Sequence, residues 1–330
     1  MRVHQRGQRG RENPLGFATT VIFIVLAVSP ITLAQQAGKP LPPNPDAISI
    51  KTDLISLTVT VTGERGRFVS GLSKDHFEVF EDQVKQQISH FSSADAPLSV
   101  AVIFDLSGSM SEKKMEQARQ ALARFIQTSH QQDEYSLVGF NEQPQLLLDR
   151  TRDGEAMLQR LSGARAGGRT ALYDAVAFGL ERVSKGFYPR RALVIISDGE
   201  DNRSRVSFDQ LRRMLWESDA LIYAVGIGGY ALPHQMGEAN LKQLAEASGG
   251  RAFFPVGSEE MCEAFEQIAL ELRSQYSIGY APSNFIADGK WRRVKVRVTV
   301  TGDAGRLKVR SRAGYYAAPG RASLAKAIPE

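Results

Sequence analysis

Between residues 98 and 273 the chain alternates short, wholly apolar runs with stretches whose apolar residues recur every three or four positions. No other feature constrains the fold as tightly. A run such as Leu193-Val194-Ile195-Ile196 has no polar face, so a strand there must be covered on both sides. Over 112–129, Met115, Ala118, Leu122, Phe125 and Ile126 form one stripe, as a helix lying on such a sheet requires. Strands are expected at 98–104, 135–140, 146–148, 192–197, 221–226 and 251–254. Helices are expected at 112–129, 154–161, 171–185, 208–218, 238–247 and 259–273. This order gives an α/β domain over 96–273 with a doubly wound, mostly parallel sheet.

The chain on either side has β character. Before the α/β pattern, 46–95 offers strands at 48–61, 68–69, 77–80 and 87–91, a hairpin turn at 63–67 and a short helical or polar turn within 72–77. After it, 274–316 offers strands at 276–280, 291–300 and 307–310, separated by turns at 282–284, 288–289 and 301–305. In Arg293-Val294-Lys295-Val296-Arg297-Val298 the alternation is strict, so that strand has one wet face. Domain termini tend to lie close together. The two flanks are therefore expected to pair into one β-sandwich-like module with the α/β domain inserted, rather than to form two separate appendages.

The N-terminus reads as an address. Arg2, Arg6, Arg9 and Arg11 precede an apolar stretch at 18–28, and Thr32-Leu33-Ala34 offers a small-x-small cleavage site. An uncleaved anchor is the alternative, because 15–34 is close to the ~20 residues a spanning helix needs; Pro30 and the threonines favour cleavage. Both readings place the rest of the chain outside the cytoplasm, periplasmic or secreted. Residues 35–45, rich in Pro, Gln and Gly, read as a linker, and 317–330 as a tail. The formal charge of +5 over 330 residues falls to about +2 once the N-terminal arginines and Glu12 are set aside, which gives no reason to expect a nucleic-acid partner. The single cysteine, Cys262, excludes an intramolecular disulfide and any Cys-rich zinc pattern. Its place in a helical stretch suggests a buried thiol.

Chemistry concentrates at the ends of two strands. Asp105-Leu106-Ser107-Gly108-Ser109 follows the first apolar run and sets one carboxylate and two hydroxyls at alternate positions. Gly167-Gly168-Arg169-Thr170 brings a threonine to the start of a helix, where a hydroxyl is also a natural cap. Asp198-Gly199-Glu200-Asp201 follows a second buried run. An oxygen-only donor set suits a hard divalent cation, Mg²⁺ or Mn²⁺. In an open α/β sheet, ligands bind beyond the carboxyl ends of the strands, where Asp105 and Asp198 are both expected.

These three segments together resemble the metal-ion-dependent adhesion site of von Willebrand factor type A domains, whose fold is a Rossmann-like α/β sheet. The resemblance implies that Asp105, Ser107, Ser109, Thr170 and Asp198 hold one Mg²⁺ or Mn²⁺, directly or through water. It further implies that an Asp or Glu of a protein partner completes the octahedral shell. The flanks, with Val69-Ser70-Gly71-Leu72, Tyr276-Ser277-Ile278-Gly279-Tyr280 and Arg312-Ala313-Gly314-Tyr315-Tyr316, resemble a related bacterial, acidobacterial-type family. Glu112, Arg169, Glu200 and Asp201 are candidates for the rim of the crevice. Arg165 could flank an acidic partner, and Asp174 is a further nearby carboxylate; solvated surface charge is the plainer reading of all six.

The expected function is therefore a metal-dependent protein-binding module with no small-molecule substrate, and not an enzyme. An alternative is a structural envelope protein whose ion only stiffens the fold. A phosphatase-like hydrolase is the enzymatic rival, because Val102-Ile103-Phe104-Asp105 resembles the start of haloacid-dehalogenase-type phosphatases. There, however, an acid/base aspartate stands two residues on, where this chain has Ser107. No P-loop, GxSxG or HExxH motif occurs either.

Overall fold

The computed structural model describes residues 54–228, 234–284, 286–300 and 306–317. The segments read as export signal or anchor (1–34), linker (35–45) and most of the tail lie outside the described residues, as does the turn at 301–305. Among the described residues no helix is long and apolar enough to cross a membrane.

Four strands come first: β1 (Ile55–Thr62), β2 (Phe77–Glu81), β3 (Val84–Gln86) and β4 (Ile88–Ser92). The α/β unit runs β5 (Ser99–Asp105), α1 (Glu112–Thr128), β6 (Glu134–Phe140), β7 (Pro144–Thr151), α2 (Gly154–Ser162), α3 (Leu172–Ser184), β8 (Arg191–Ser197), α4 (Phe208–Glu217), β9 (Leu221–Gly226), α5 (His234–Ser248), β10 (Arg251–Phe253) and α6 (Ser258–Arg273). Four more strands close the chain: β11 (Tyr276–Tyr280), β12 (Trp291–Val298), β13 (Lys308–Arg310) and β14 (Gly314–Tyr316).

The central sheet has the order β10-β9-β8-β5-β6-β7 and is parallel except for β7. Every residue of β5 is buried, as a strand covered on both faces demands. Its side chains divide the core. Val100, Val102 and Phe104 join a cluster with Met115, Leu122 and Phe125 of α1 and Phe265 and Ile268 of α6. Ala101 and Ile103 join Val176 of α3, Leu211 of α4 and Leu241 of α5 on the other face. The helices start where local chemistry says they should: Ser111 caps α1, Asp153 caps α2, and Ser207 with Gln210 makes a capping box on α4. β7 is longer than expected and antiparallel to β6, because only three residues separate the two strands and so short a link permits no crossover. α5 begins four residues before the expected start, where Gly237 hides the first turn from a propensity reading. Cys262 is only half-buried, at the margin of the first cluster, and not the buried thiol its helical setting suggested.

The flanking strands form two four-stranded antiparallel sheets, β13-β1-β11-β4 and β14-β12-β2-β3. Each sheet draws strands from both sides of the α/β unit. Leu57, Val59, Val79, Ile278, Tyr280, Val294 and Val296 fill one shared core. The strand expected at 87–91 is β4, and a change of sheet from β3, which was not expected, lies just before it. Gln86 and Ile88 are both buried, Gln87 between them is exposed, and β3 and β4 belong to different sheets.

A buried polar seam fastens this module to α6 and β9. Glu271, 1% exposed, accepts hydrogen bonds from Tyr223 Oη (2.7 Å) and Thr60 Oγ1 (3.3 Å) and pairs with Arg310. Gln275 Nε2 donates to Tyr223 Oη at 2.8 Å, and Arg190 donates to Ala96 O and Leu272 O.

Candidate metal centre

β5 and β8 are parallel neighbours in the register Phe104↔Ile196, so Asp105 and Asp198 leave the sheet at the same edge. The chain passes from β5 to β6 on one side and returns through β8 on the other, which makes this a topological switch point. Asp105 is fully buried. Its Oδ1 accepts from Ser107 N at 2.8 Å and its Oδ2 from Ser197 Oγ at 2.6 Å. Ser197 Oγ in turn accepts from Gly199 N at 3.0 Å. Neither hydroxyl nor amide in this chain of bonds is left to chance rotation, so the carboxylate plane is fixed.

Backbone bonds assemble the loops around it. Leu106 N donates to Phe140 O (2.7 Å), Gly167 N to Leu106 O (2.8 Å) and Gly108 N to Gly168 O (3.0 Å). Gly168 adopts φ +83°, a conformation that strains any residue with a Cβ. Thr170 and Asn202 exchange two bonds, Thr170 N to Asn202 Oδ1 at 3.0 Å and Asn202 N to Thr170 O at 2.9 Å. That exchange ties the threonine to the loop carrying Asp198. Thr170 stands two residues ahead of α3; the cap position falls on Ala171, which has no capping side chain. Asp201 Oδ1 and Ser204 Oγ accept instead from the first amides, Tyr173 N (3.3 Å) and Asp174 N (3.1 Å).

Asp105, Ser107, Ser109, Thr170 and Asp198 therefore stand on loops that these bonds draw to one edge of the sheet. Asp105, Ser107, Thr170 and Asp198 are buried, while Ser109 is exposed at the mouth with its Oγ 3.0 Å from Ser107 Oγ. Asp198 Oδ1 accepts from Glu200 N at 3.3 Å, and its buried Oδ2 has no hydrogen-bond partner. Burial pushes the Asp105 carboxyl up to about 6; hydrogen bonds from Ser107 and Ser197 work against that shift, and the charge of Asp198 adds to it. Among the described residues no cationic side chain offsets the pair, and no cluster of three or more His, Cys, Asp or Glu stands ready for a metal. The donor set is thus two carboxylates and three hydroxyls, with no nitrogen or sulfur. This composition fits a hard cation and does not fit zinc.

The expected rim is less uniform. Glu112 and Arg169 are exposed, and Glu200 is half-buried. Asp201 is half-buried and holds Ser204 Oγ and Tyr173 N, so its carboxylate serves the α3 start and is not a free rim charge. Asp174 likewise accepts from Arg205 N (3.0 Å) and Val206 N (2.9 Å) and is not simply solvated. Sequence reasoning missed Ser197 and Asn202. Ser197, the last residue of an otherwise apolar strand, carried a readable signal, because a polar residue there faces the switch point. Asn202 carried none.

Residues 100–200 match the family model described as von Willebrand factor type A domain. The likeness to von Willebrand factor type A domains thus covers about a third of the chain. The matched residues run from β5 into the Asp198 loop and contain all five candidate ligands. Curated relatives include the uncharacterized protein sll0103 of Synechocystis, 21% identical over 175 residues, 52% of this chain and 41% of that protein. Another is the magnesium-chelatase 67 kDa subunit of Chlorobaculum tepidum, 29% identical over 195 residues, 53% of this chain and 30% of that one. The chain thus spans less than half the length of these relatives. Among solved structures, a von Willebrand factor type A protein from Catenulispora acidiphila aligns with a TM-score of 0.47 and 15% identity, covering 84% of this chain and 76% of that one.

Proposed function

We propose that the crevice is a metal-ion-dependent adhesion site and that the protein is an exported binding module. Asp105, Ser107, Ser109, Thr170 and Asp198 would hold one Mg²⁺ or Mn²⁺, which supplies an electrophilic position for an Asp or Glu carboxylate of a protein partner. The carrying observation is Asp198 Oδ2, buried without a partner beside a second buried carboxylate. Two such groups are costly to bury unless a cation offsets them. Five donors that include only two charges leave one position open on a six-coordinate ion without giving the site a net negative charge. A phosphatase reading finds no support, because the position that would carry its acid/base is Ser107, whose Oγ bonds to Ser109. The apolar N-terminal stretch supports a location outside the cytoplasm, which cell fractionation tests directly.

The test is a thermal melt of the full chain in EDTA, then in Mg²⁺ or Mn²⁺ with acetate as a carboxylate mimic, beside Asp105→Ala and Asp198→Ala. A ligand that binds only the folded state raises the melting temperature by mass action. A metal-dependent rise in the wild type, lost in both variants, is the expected result. Equal melting in EDTA and metal, with acetate present, would sink the reading. The scaffold alternative separates from it in the same variants: there Asp105→Ala lowers stability in metal but leaves partner binding intact.

A further inference from the structure

A groove of about 1140 Å³ opens beside the crevice, and Gly167 and Gly168 are among the residues that line it. Gly168 O is the acceptor for Gly108 N in the Asp105–Ser109 loop, so the groove lining is one hydrogen bond away from the loop of candidate metal ligands. Phe178 and Val206, both half-buried, and Met214, 38% exposed, give it an apolar base. Arg165, Arg203 and Arg205 line it and are exposed. None of the three forms an ion pair among the described residues, so their guanidiniums are uncommitted.

Three carboxylates also line the groove, and two are already engaged. Asp174 accepts the backbone amides of Arg205 and Val206. Glu181 is held by Lys185 and Arg182 at 2.6 and 2.8 Å. Only Glu142 remains to oppose three uncommitted guanidiniums. The volume exceeds the upper end of small-molecule pockets, roughly 1,000 Å³, and suits several residues of an extended chain.

We propose that this groove binds the stretch of the partner that flanks its metal-bound carboxylate: an extended peptide segment carrying further Asp or Glu side chains and a large apolar residue. This rests on the adhesion-site reading and adds to it a source of specificity. A lone carboxylate on a metal ion selects almost nothing, while charges placed along an adjoining groove select sequence.

The test uses fluorescein-labelled peptides in Mg²⁺ at low salt, read by anisotropy. One pair carries aspartate followed by alternating leucine and glutamate, or the same with glutamine for glutamate; a second pair reverses the order, so the aspartate sits at the other end. A third peptide carries lysine in place of glutamate. In the wild type at least one acidic peptide should bind about tenfold tighter than its glutamine counterpart, as two or three exposed ion pairs allow. In Arg203→Glu/Arg205→Glu the preference should turn toward the lysine peptide. Equal binding of acidic and glutamine peptides in both directions overturns the groove, even where the metal-dependent melting shift is intact. A preference that survives EDTA but reverses in the double variant upholds the groove and overturns the metal reading instead.

Discussion

Two of the places where the protein buries acidic side chains offset the charge differently. At the seam between the β module and α6, Glu271 meets Arg310, Tyr223 Oη and Thr60 Oγ1. In the crevice, Asp105 and Asp198 lie together with hydroxyls and amides around them and no cationic side chain among the described residues. Each region keeps one buried oxygen without a partner, Glu271 Oε2 and Asp198 Oδ2. The difference is that the seam brings its own cation and the crevice does not. A site that lacks its counter-charge is open to regulation by whatever supplies one, and a site that holds its own is a fastening. Glu81 in the sandwich is a third solution: one of its oxygens accepts from Tyr280 Oη at 2.7 Å and Tyr315 Oη at 2.8 Å.

The largest effect should come from unpairing the seam. Arg310→Ala leaves Glu271 buried without its cation, at a cost of about 3–5 kcal/mol, measured by urea denaturation. A loss under 1 kcal/mol would mean that solvent reaches Glu271 and would erase the contrast. Next comes the crevice. With Mg²⁺ at about 100 times its Kd, the wild type should gain about 2.7 kcal/mol over EDTA, while Arg310→Ala should show the same increment from a lower baseline.

Replacing acid by amide sharpens the comparison further, because the sign should differ. Glu271→Gln removes the charge that Arg310 needs and should destabilise by about 1–3 kcal/mol. Asp105→Asn removes a charge with no cation beside it, so in EDTA the melting temperature should hold or rise, and the response to Mg²⁺ should disappear. A fall in EDTA as large as that of Glu271→Gln would break the distinction. Ser197→Ala frees Asp105 Oδ2 from its 2.6 Å donor and should cost about 1 kcal/mol, with a weaker metal response as the carboxylate loses its fixed orientation. Thr60→Val, which deletes the long 3.3 Å contact to Glu271, should cost least, about 0.5 kcal/mol.

Much of this was legible in the chain. Apolar runs covered on both faces, amphipathic stripes and strand-end aspartates required an α/β sheet with acidic groups at its carboxyl edge, because strand and helix periods are local properties of sequence. The five candidate metal ligands were named from the resemblance of three segments to a known adhesion site; the alternation of 105, 107 and 109 pointed the same way, although that segment is a turn closed by Met110 N and Ser107 O. The change of sheet at Gln87 was not legible, since a buried residue on each side of an exposed one looks like ordinary alternation. Nor was the work of Asp201, whose partners Tyr173 and Asp201's own neighbour Ser204 lie on different elements.

What the sequence determined by itself was the kind of fold and the donor chemistry at its switch point. Tertiary structure alone decided which buried carboxylate would have a cation. Glu271 and Arg310 are 39 residues apart in sequence and meet only because β13 pairs with β1. Asp105 and Asp198 come from strands that sit side by side, and no arginine or lysine pairs with them among the described residues. Hydrophobic patterning is read one element at a time; charge compensation depends on which elements the sheet order makes neighbours.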